Sequence, residues 1–349
     1  MKRKSMSLLL LSVSAAILVF IGYHNLDSRA ELPYDDDQEG LKDQLVFKFS
    51  HVVAENSPKG RAAAKFAELV EEKSNGKIKI VIFPNGSLFS DIEEINALQD
   101  EQVHLIAPST SKLRMLSPKW GVLDLPFAFS DSEAIQQGIH GPIGEQLLDS
   151  LQKDGIKGLA HWSNGFKQIT SNKGPIRVPE DMEGQTFRIM QSDIIQAQFE
   201  LFGAVGLQES FNSTYSLIEE GKVDGEENTI SNIYSKKFYH VQKHMTISNH
   251  GYLGYAVMMD NDVWNRQTKE TQQILLDAMQ ETTDWNDRNT IEINEEQLEL
   301  IKQKSAIEIH ELNETEKKAW MKKLEPLYKN YEDAVGTELM EELKNLKDR

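Results

Sequence analysis

Three cations stand where the chain passes between a strand and a turn or helix. They are Lys59 in Ser57-Pro58-Lys59-Gly60, Lys167 after Asn164-Gly165-Phe166, and Arg188 in Phe187-Arg188-Ile189. The chemistry they offer is recognition of an anion. Lys59 falls in the first turn of a helix that Ser57 can cap. Free backbone N–H groups already favour negative charge there, so a cation makes sense once an anion arrives. Arg188 alternates with two apolar neighbours and carries a planar fork of donors that matches a carboxylate. Taken singly, each cation is more often a surface charge or half of an ion pair with one of the 55 acidic residues, and such pairs contribute little.

Covalent chemistry has no comparable candidates. A nucleophile elbow, a phosphate loop with its lysine, a dinucleotide glycine fingerprint and an HExxH helix are all missing from the sequence. The absence of cysteine excludes thiol nucleophiles, thiolate metal sites, a disulfide framework and a lipid-modified N-terminal cysteine. His51, His104, His161 and His310 read as hydrogen-bonded strand residues. Glu281, Asp284, Asp287 and Glu295 read as a solvated helix face. No catalytic residue, metal ligand or cofactor is expected, and a net charge of −17 repels nucleic acid.

Alternating strands and helices must position the cations. Leu45, Phe47 and Phe49 alternate with Val46, Lys48 and Ser50 over 44–50, the mark of a half-buried strand. Ser57 then caps a helix with Pro58 at its first position, an apolar face of Ala62, Phe66, Leu69 and Val70, and Gly76 as its stop. Residues 77–83 alternate again, and Pro84-Asn85-Gly86 turns the chain. Ser90 with Glu93 makes a capping box for a helix bearing Ile92, Ile95 and Leu98, and 103–107 follows as a strand. This order predicts a mainly parallel sheet with helices on its faces and ligands beyond the carboxyl ends of the strands.

A second α/β segment is expected over 165–255, with its clearest strand at 187–190 and a helix capped by Ser192 that ends near Gly203. Residues 271–303 read as one long uncapped helix directing Ile274, Ala278, Trp285 and Ile301 inward, long enough to bridge two lobes. A late strand is expected at 306–309. Asn313 with Glu316 starts a last helix, kinked by Pro326 and carrying Trp320, Leu324 and Tyr331.

The 349 residues suit two domains, and 39% hydrophobic residues with 14 Phe supply a sizeable core. Lys2, Arg3 and Lys4 precede an apolar run over 6–23. Residues 1–30 therefore read either as a signal peptide cut before Glu31 or as an N-terminal membrane anchor, and both orders leave the body outside the cytoplasm. Residues 31–43, with Asp35, Asp36 and Asp37, form an acidic linker lacking the glycine and closing glutamate of a calcium loop. Lobe I is expected over 44–164, completed by about 256–349 with the long connecting helix, and lobe II over 165–255.

Five segments, in order, resemble one family. They are His51-Val52-Val53-Ala54-Glu55-Asn56-Ser57-Pro58-Lys59-Gly60, Asn164-Gly165-Phe166-Lys167, Gly184-Gln185-Thr186-Phe187-Arg188-Ile189, Gly221-Lys222-Val223-Asp224-Gly225-Glu226-Glu227-Asn228 and Ser248-Asn249-His250-Gly251-Tyr252. The chain resembles the substrate-binding proteins of TRAP transporters, and within them the subgroup for four-carbon dicarboxylates. The resemblance implies a two-lobed, periplasmic-binding-protein-like α/β fold with a long inter-lobe helix and a ligand cleft between the lobes.

The resemblance also implies site residues and partners. Arg188 would pair with the ligand carboxylate, Lys167 would be the second basic position, Asn228 would lie near the cleft, and Lys59 would meet the distal carboxylate. Ser109 and Phe211 are weaker members of this set. The implied function is extracytoplasmic capture of succinate, fumarate or malate by a monomer, for delivery to a membrane permease. The alternative is a sensing module that reports dicarboxylate to a membrane sensor kinase through the same cleft. An extracellular enzyme acting on a small acid is disfavoured by the missing motifs.

Overall fold

The computed structural model describes residues 44–347. The signal peptide or anchor over 1–30 and the acidic linker over 31–43 lie outside the described residues. Strand β1 (Leu45–Ser50) buries Phe47 and Phe49 and exposes Val46 and Lys48, as its alternation dictates. Ser57 Oγ accepts from Gly60 N at 3.2 Å to cap the helix Pro58–Lys73. Gly60 is required because a Cβ there would lie 2.2 Å from Ala54 O. Phe66 on the inner face is fully buried, a burial that contributes about 2–3 kcal/mol.

Strands β2 (Ile78–Phe83) and β3 (Leu105–Ile106) both pair parallel with β1. Strand β4 (Ile156–Ser171) then leads into β5 (Thr186–Ile189), β6 (Val205–Gln208) and β7 (Gly225–Thr229), with β6 and β7 parallel on either side of β5. Strand β8 (His244–Asp260) returns antiparallel beside β4, and β9 (Glu308–Glu311) pairs parallel with β8. The order is β2-β1-β3-β8-β4-β7-β5-β6.

The sheet is therefore mixed rather than mainly parallel. Two parallel three-stranded ends are joined by two long antiparallel strands of 16 and 17 residues. The register of β4 against β8 shifts between Ser163 and Gly165 and again between Lys167 and Ile169, and Gly165 adopts φ +97°. Such bulges bend a strand, and these fall where the two α/β segments meet.

Several local readings are corrected. The turn Ser90–Glu93 closes on itself, with Ser90 N and Oγ donating to Glu93 Oε2 at 2.9 and 2.6 Å. The helix that follows spans only Glu94–Gln99, so Ile92 is left outside it and 48% exposed. The long helix runs Lys269–Lys304 and does have a cap, Thr268 Oγ1 accepting from Thr271 N at 3.1 Å. Ala278 and Ile301 are buried on it, whereas Ile274 and Trp285 are half-buried at the core's edge.

Both halves are fastened to that helix. Trp162 Nε1 donates to Thr283 Oγ1 at 3.1 Å and Gln297 Nε2 to Asn56 O at 3.2 Å. Asn294 donates to Asn164 O at 3.2 Å and accepts from Ser231 N at 3.0 Å. The helix Glu314–Val335 starts at the Asn313–Glu316 capping box and contains Pro326. Its Trp320 packs 5.2 Å from the Phe202 ring and donates Nε1 to Arg177 O at 3.0 Å. This helix thus covers the second α/β segment, while Leu339 and Leu343 of the helix Thr337–Lys347 join Ile139 and Leu147 in a separate core.

Candidate functional site

Arg188 on β5 is only 1% exposed. Its Nε and Nη2 both donate to Glu209 O, at 2.9 and 2.7 Å, which fixes the plane of the guanidinium. Nη1 makes no hydrogen bond among the described residues. Burial lowers the pKa of Arg188, but a guanidinium stays charged throughout the accessible range. Lys59 is fully buried; its Nζ donates to Ala107 O at 2.8 Å and sits 3.7 Å from the centre of the Tyr255 ring. Burial pulls its pKa down to about 8, against the opposing pull of Glu94 and Asp91.

Both cations line one small cavity. Ser109, Phe211 and Asn228 line it as well. Ser109 Oγ is buried without a partner. The Phe211 ring has two cations near it, Arg188 at 5.9 Å and Lys236 at 5.2 Å from its centre. The Asn228 amide is already engaged: it donates to Glu226 Oε2 at 3.1 Å, and its oxygen accepts from Asn232 Nδ2 at 2.7 Å. The cavity thus draws Lys59 and Ser109 from one α/β segment and Arg188, Phe211 and Asn228 from the other.

Lys167 is set apart from this group. Its chain crosses Gly251, where a Cβ would lie 2.6 Å from Lys167 Cε, and its ammonium reaches Glu227 Oε1 at 2.9 Å. Both side chains are at most 1% exposed. The physical reason is general: a buried ammonium needs a counter-ion, and β7 supplies one from the neighbouring strand. Burial alone would raise the Glu227 pKa, but Lys167 and His250 outweigh it and hold the carboxyl at about 2.

Five polar residues that sequence reasoning did not single out share the cavity: Asp91, Glu94, Lys112, Asn232 and Tyr255. Lys112 and Asp91 form an ion pair of 2.6 Å with both side chains nearly buried. Burial pushes Glu94 up to about 8. Of the three cations, Lys112 is neutralised by Asp91, whereas neither Lys59 nor Arg188 has an ion-pair partner among the described residues. Lys112 follows Ser109 in a 3-10 turn, Thr110–Met115, that carries no periodicity to reveal it. The only signal for Asp91 and Glu94 was their closeness to the Ser90 turn.

A second cavity, bounded by Gln136, Phe166, Asn249, Asp287 and Asn294, is roomier but is lined by no lysine or arginine. Of these two cavities, the one lined by Lys59, Lys112 and Arg188 is the one that offers cations to an anion.

Known proteins share this architecture. The family model described as bacterial extracellular solute-binding protein, family 7, matches residues 49–334. A Bacillus subtilis protein, "C4-dicarboxylate-binding protein DctB", is 61% identical over 347 residues, covering 99% of each chain. A TRAP periplasmic solute-binding protein from Shewanella oneidensis, solved with bound succinate, superposes with a TM-score of 0.85 at 37% identity, covering 87% of this chain and 99% of its own. Another from Pseudomonas aeruginosa, with bound L-malate, gives a TM-score of 0.80 at 36% identity, covering 82% and 100%. No helix among the described residues is long and apolar enough to cross a membrane. With its fold, its paired α/β segments and its matched length accounted for, the chain belongs to family 7 of the bacterial extracellular solute-binding proteins and works outside the cytoplasm.

Proposed function

We propose that this protein captures four-carbon dicarboxylates outside the cytoplasm and hands them, as a monomer, to a membrane permease of the TRAP type. The observation that carries the reading is the pair of buried cations, Arg188 and Lys59, that line a single cavity and have no ion-pair partner among the described residues. A dianion supplies one negative charge to each. Arg188 offers the planar fork and Lys59 a point charge, which suits a carboxylate at either end of a short chain. Closure of the segments over the ligand would exclude competing water. Ser109 and Phe211 complete the proposed site. Lys167 acts beneath it by holding Glu227 in place, and Asn228 by fixing Glu226.

The names of the relatives support the ligand class, and the succinate and malate seen in two related structures support it again. The sensing alternative draws no support from them, since each is named as a binding protein. We place lobe I over 44–164, completed by about 256–349 with the long connecting helix, and lobe II over 165–255. Whether residues 6–23 anchor the body or leave it with a cleaved signal is decided by sequencing the mature N-terminus; a start at Glu31 removes the anchor.

The test is a melting-temperature panel. Succinate, fumarate and malate should each raise the melting temperature, and butyrate should not. A rise with a sugar acid such as galactonate and none with the dicarboxylates would overturn the ligand assignment.

A further inference from the structure

Glu94 is fully buried in the wall of the cavity that holds Arg188 and Lys59. Its two oxygens differ. Oε1 is 3.4 Å from the Ser50 hydroxyl, which donates to it, whereas Oε2 is buried and has no hydrogen-bond partner among the described residues. That asymmetry is what a carboxylic acid makes, a carbonyl oxygen accepting and a hydroxyl left to donate.

The surrounding charges agree. From the first helix comes Lys59, whose ammonium bonds Ala107 O and faces the Tyr255 ring, and which forms no ion pair with Glu94. From the turn just before Glu94 comes Asp91, an anion already paired with Lys112 of the 3-10 turn, with its Oδ1 accepting from Phe211 N at 3.3 Å. From β1 comes the Ser50 hydroxyl and from β8 the Tyr255 phenol, neither of them charged. Burial and the neighbouring Asp91 oppose ionisation, while Lys59, Ser50 and Lys112 favour it, and burial dominates.

We infer that Glu94 is a specificity-determining residue that meets the captured dicarboxylate as a neutral acid, donating its Oε2 hydroxyl to a ligand oxygen. This rests on the dicarboxylate reading of the same site. A neutral Glu94 leaves the charge of Lys59 and Arg188 for the ligand, where an ionised one would cancel half of it. A hydroxyl donating to a carboxylate oxygen is also a short, strong bond. The group selects for an acceptor at that point of the ligand and against an ammonium or another donor.

The experiment combines two substitutions with infrared spectroscopy of the full chain. Glu94→Met should weaken succinate binding tenfold or more by calorimetry. Glu94→Gln, which keeps an uncharged donor, should recover most of that loss. In the infrared difference spectrum, adding succinate should perturb a carboxylic-acid carbonyl band that is missing from Glu94→Gln and persists in Glu226→Gln. If Glu94→Gln loses as much as Glu94→Met, or no acid band depends on Glu94, the inference is wrong. Should the Met variant not fold, the infrared comparison decides alone. Succinate that fails to bind the wild-type protein removes the ligand reading and this inference together, whereas binding without these signatures removes only the inference.

Discussion

Lys167 Nζ and Glu227 Oε1 lie 2.9 Å apart inside the sheet, and the other oxygen of Glu227 accepts from His250 Nε2 at 3.0 Å. The three side chains come from β4, β7 and β8, so the cluster ties together the strands at the junction of the two segments. Burial lowers the pKa of His250 despite Glu227, and its Nδ1 accepts from Ser248 Oγ at 2.7 Å, consistent with a neutral ring.

Removing one partner of such a pair leaves a buried charge. Lys167→Met should therefore destabilise the unliganded protein by about 3–5 kcal/mol, read by denaturant unfolding. Lys167→Met with Glu227→Gln should cost less than the two changes added together. An unchanged unfolding midpoint combined with lost succinate binding would show that Lys167 contacts the ligand after all.

Glu226 gives the unliganded protein a pH dependence of known sign. Burial raises its pKa from 4.5 to about 7, against the pull of Asn228, Arg188 and Thr170. The folded state then binds the proton more tightly than the unfolded one, so this contribution is full below about pH 4.5 and is lost as pH rises through about 7. Buried His51 and His161, held at about 3 and about 4, push stability the opposite way over the same window. The Glu226 contribution is therefore read as the difference in melting temperature between wild type and Glu226→Gln, which should shift against wild type as pH rises. A slope unaltered in Glu226→Gln would place the titration elsewhere.

Local signals in the sequence were the legible ones. Ser57, Ser192 and Asn313 each cap a helix where the sequence indicated, because a cap involves only the next three residues. β1 was legible from alternation, and β5 from its apolar flanks. The cavity's other polar residues were not. Lys112 sits in a 3-10 turn and Tyr255 in the middle of a 17-residue strand, and only tertiary contact brings them to Lys59. Lys167 shows the opposite difficulty. Its place after Asn164-Gly165-Phe166 marked it as a candidate cation, but the sequence cannot tell a cation facing a ligand from one facing a glutamate on the adjacent strand.

Arg188→Lys tests the guanidinium itself. Lysine keeps the charge but cannot hold Glu209 O with two donors while presenting a third to the cavity. Saturating succinate at a hundred times its dissociation constant adds about 2.7 kcal/mol to wild-type stability. The variant should lose most of that gain at the same succinate concentration, along with some unliganded stability from the weakened contact to Glu209. An undiminished shift would move the carboxylate clamp away from Arg188.

Lys59→Met separates recognition of the far carboxylate from support of the fold. Methionine is close in length and fills the space against Tyr255, so packing should survive. The lysine pKa of about 8 in the folded protein, against 10.5 ordinarily, means that burying its charge opposes folding at neutral pH. The unliganded variant should therefore melt at or above the wild-type temperature, even though Ala107 O loses a donor. Succinate affinity should fall by about 1.5–3 kcal/mol, the range for a hydrogen bond to a charged group. Butyrate, which brings no second carboxylate, should bind both proteins with the same weak affinity. If calorimetry finds succinate and butyrate weakened equally, Lys59 serves the closed conformation rather than the distal charge. A lower unliganded melting temperature would show that its bond to Ala107 outweighs the burden of its charge.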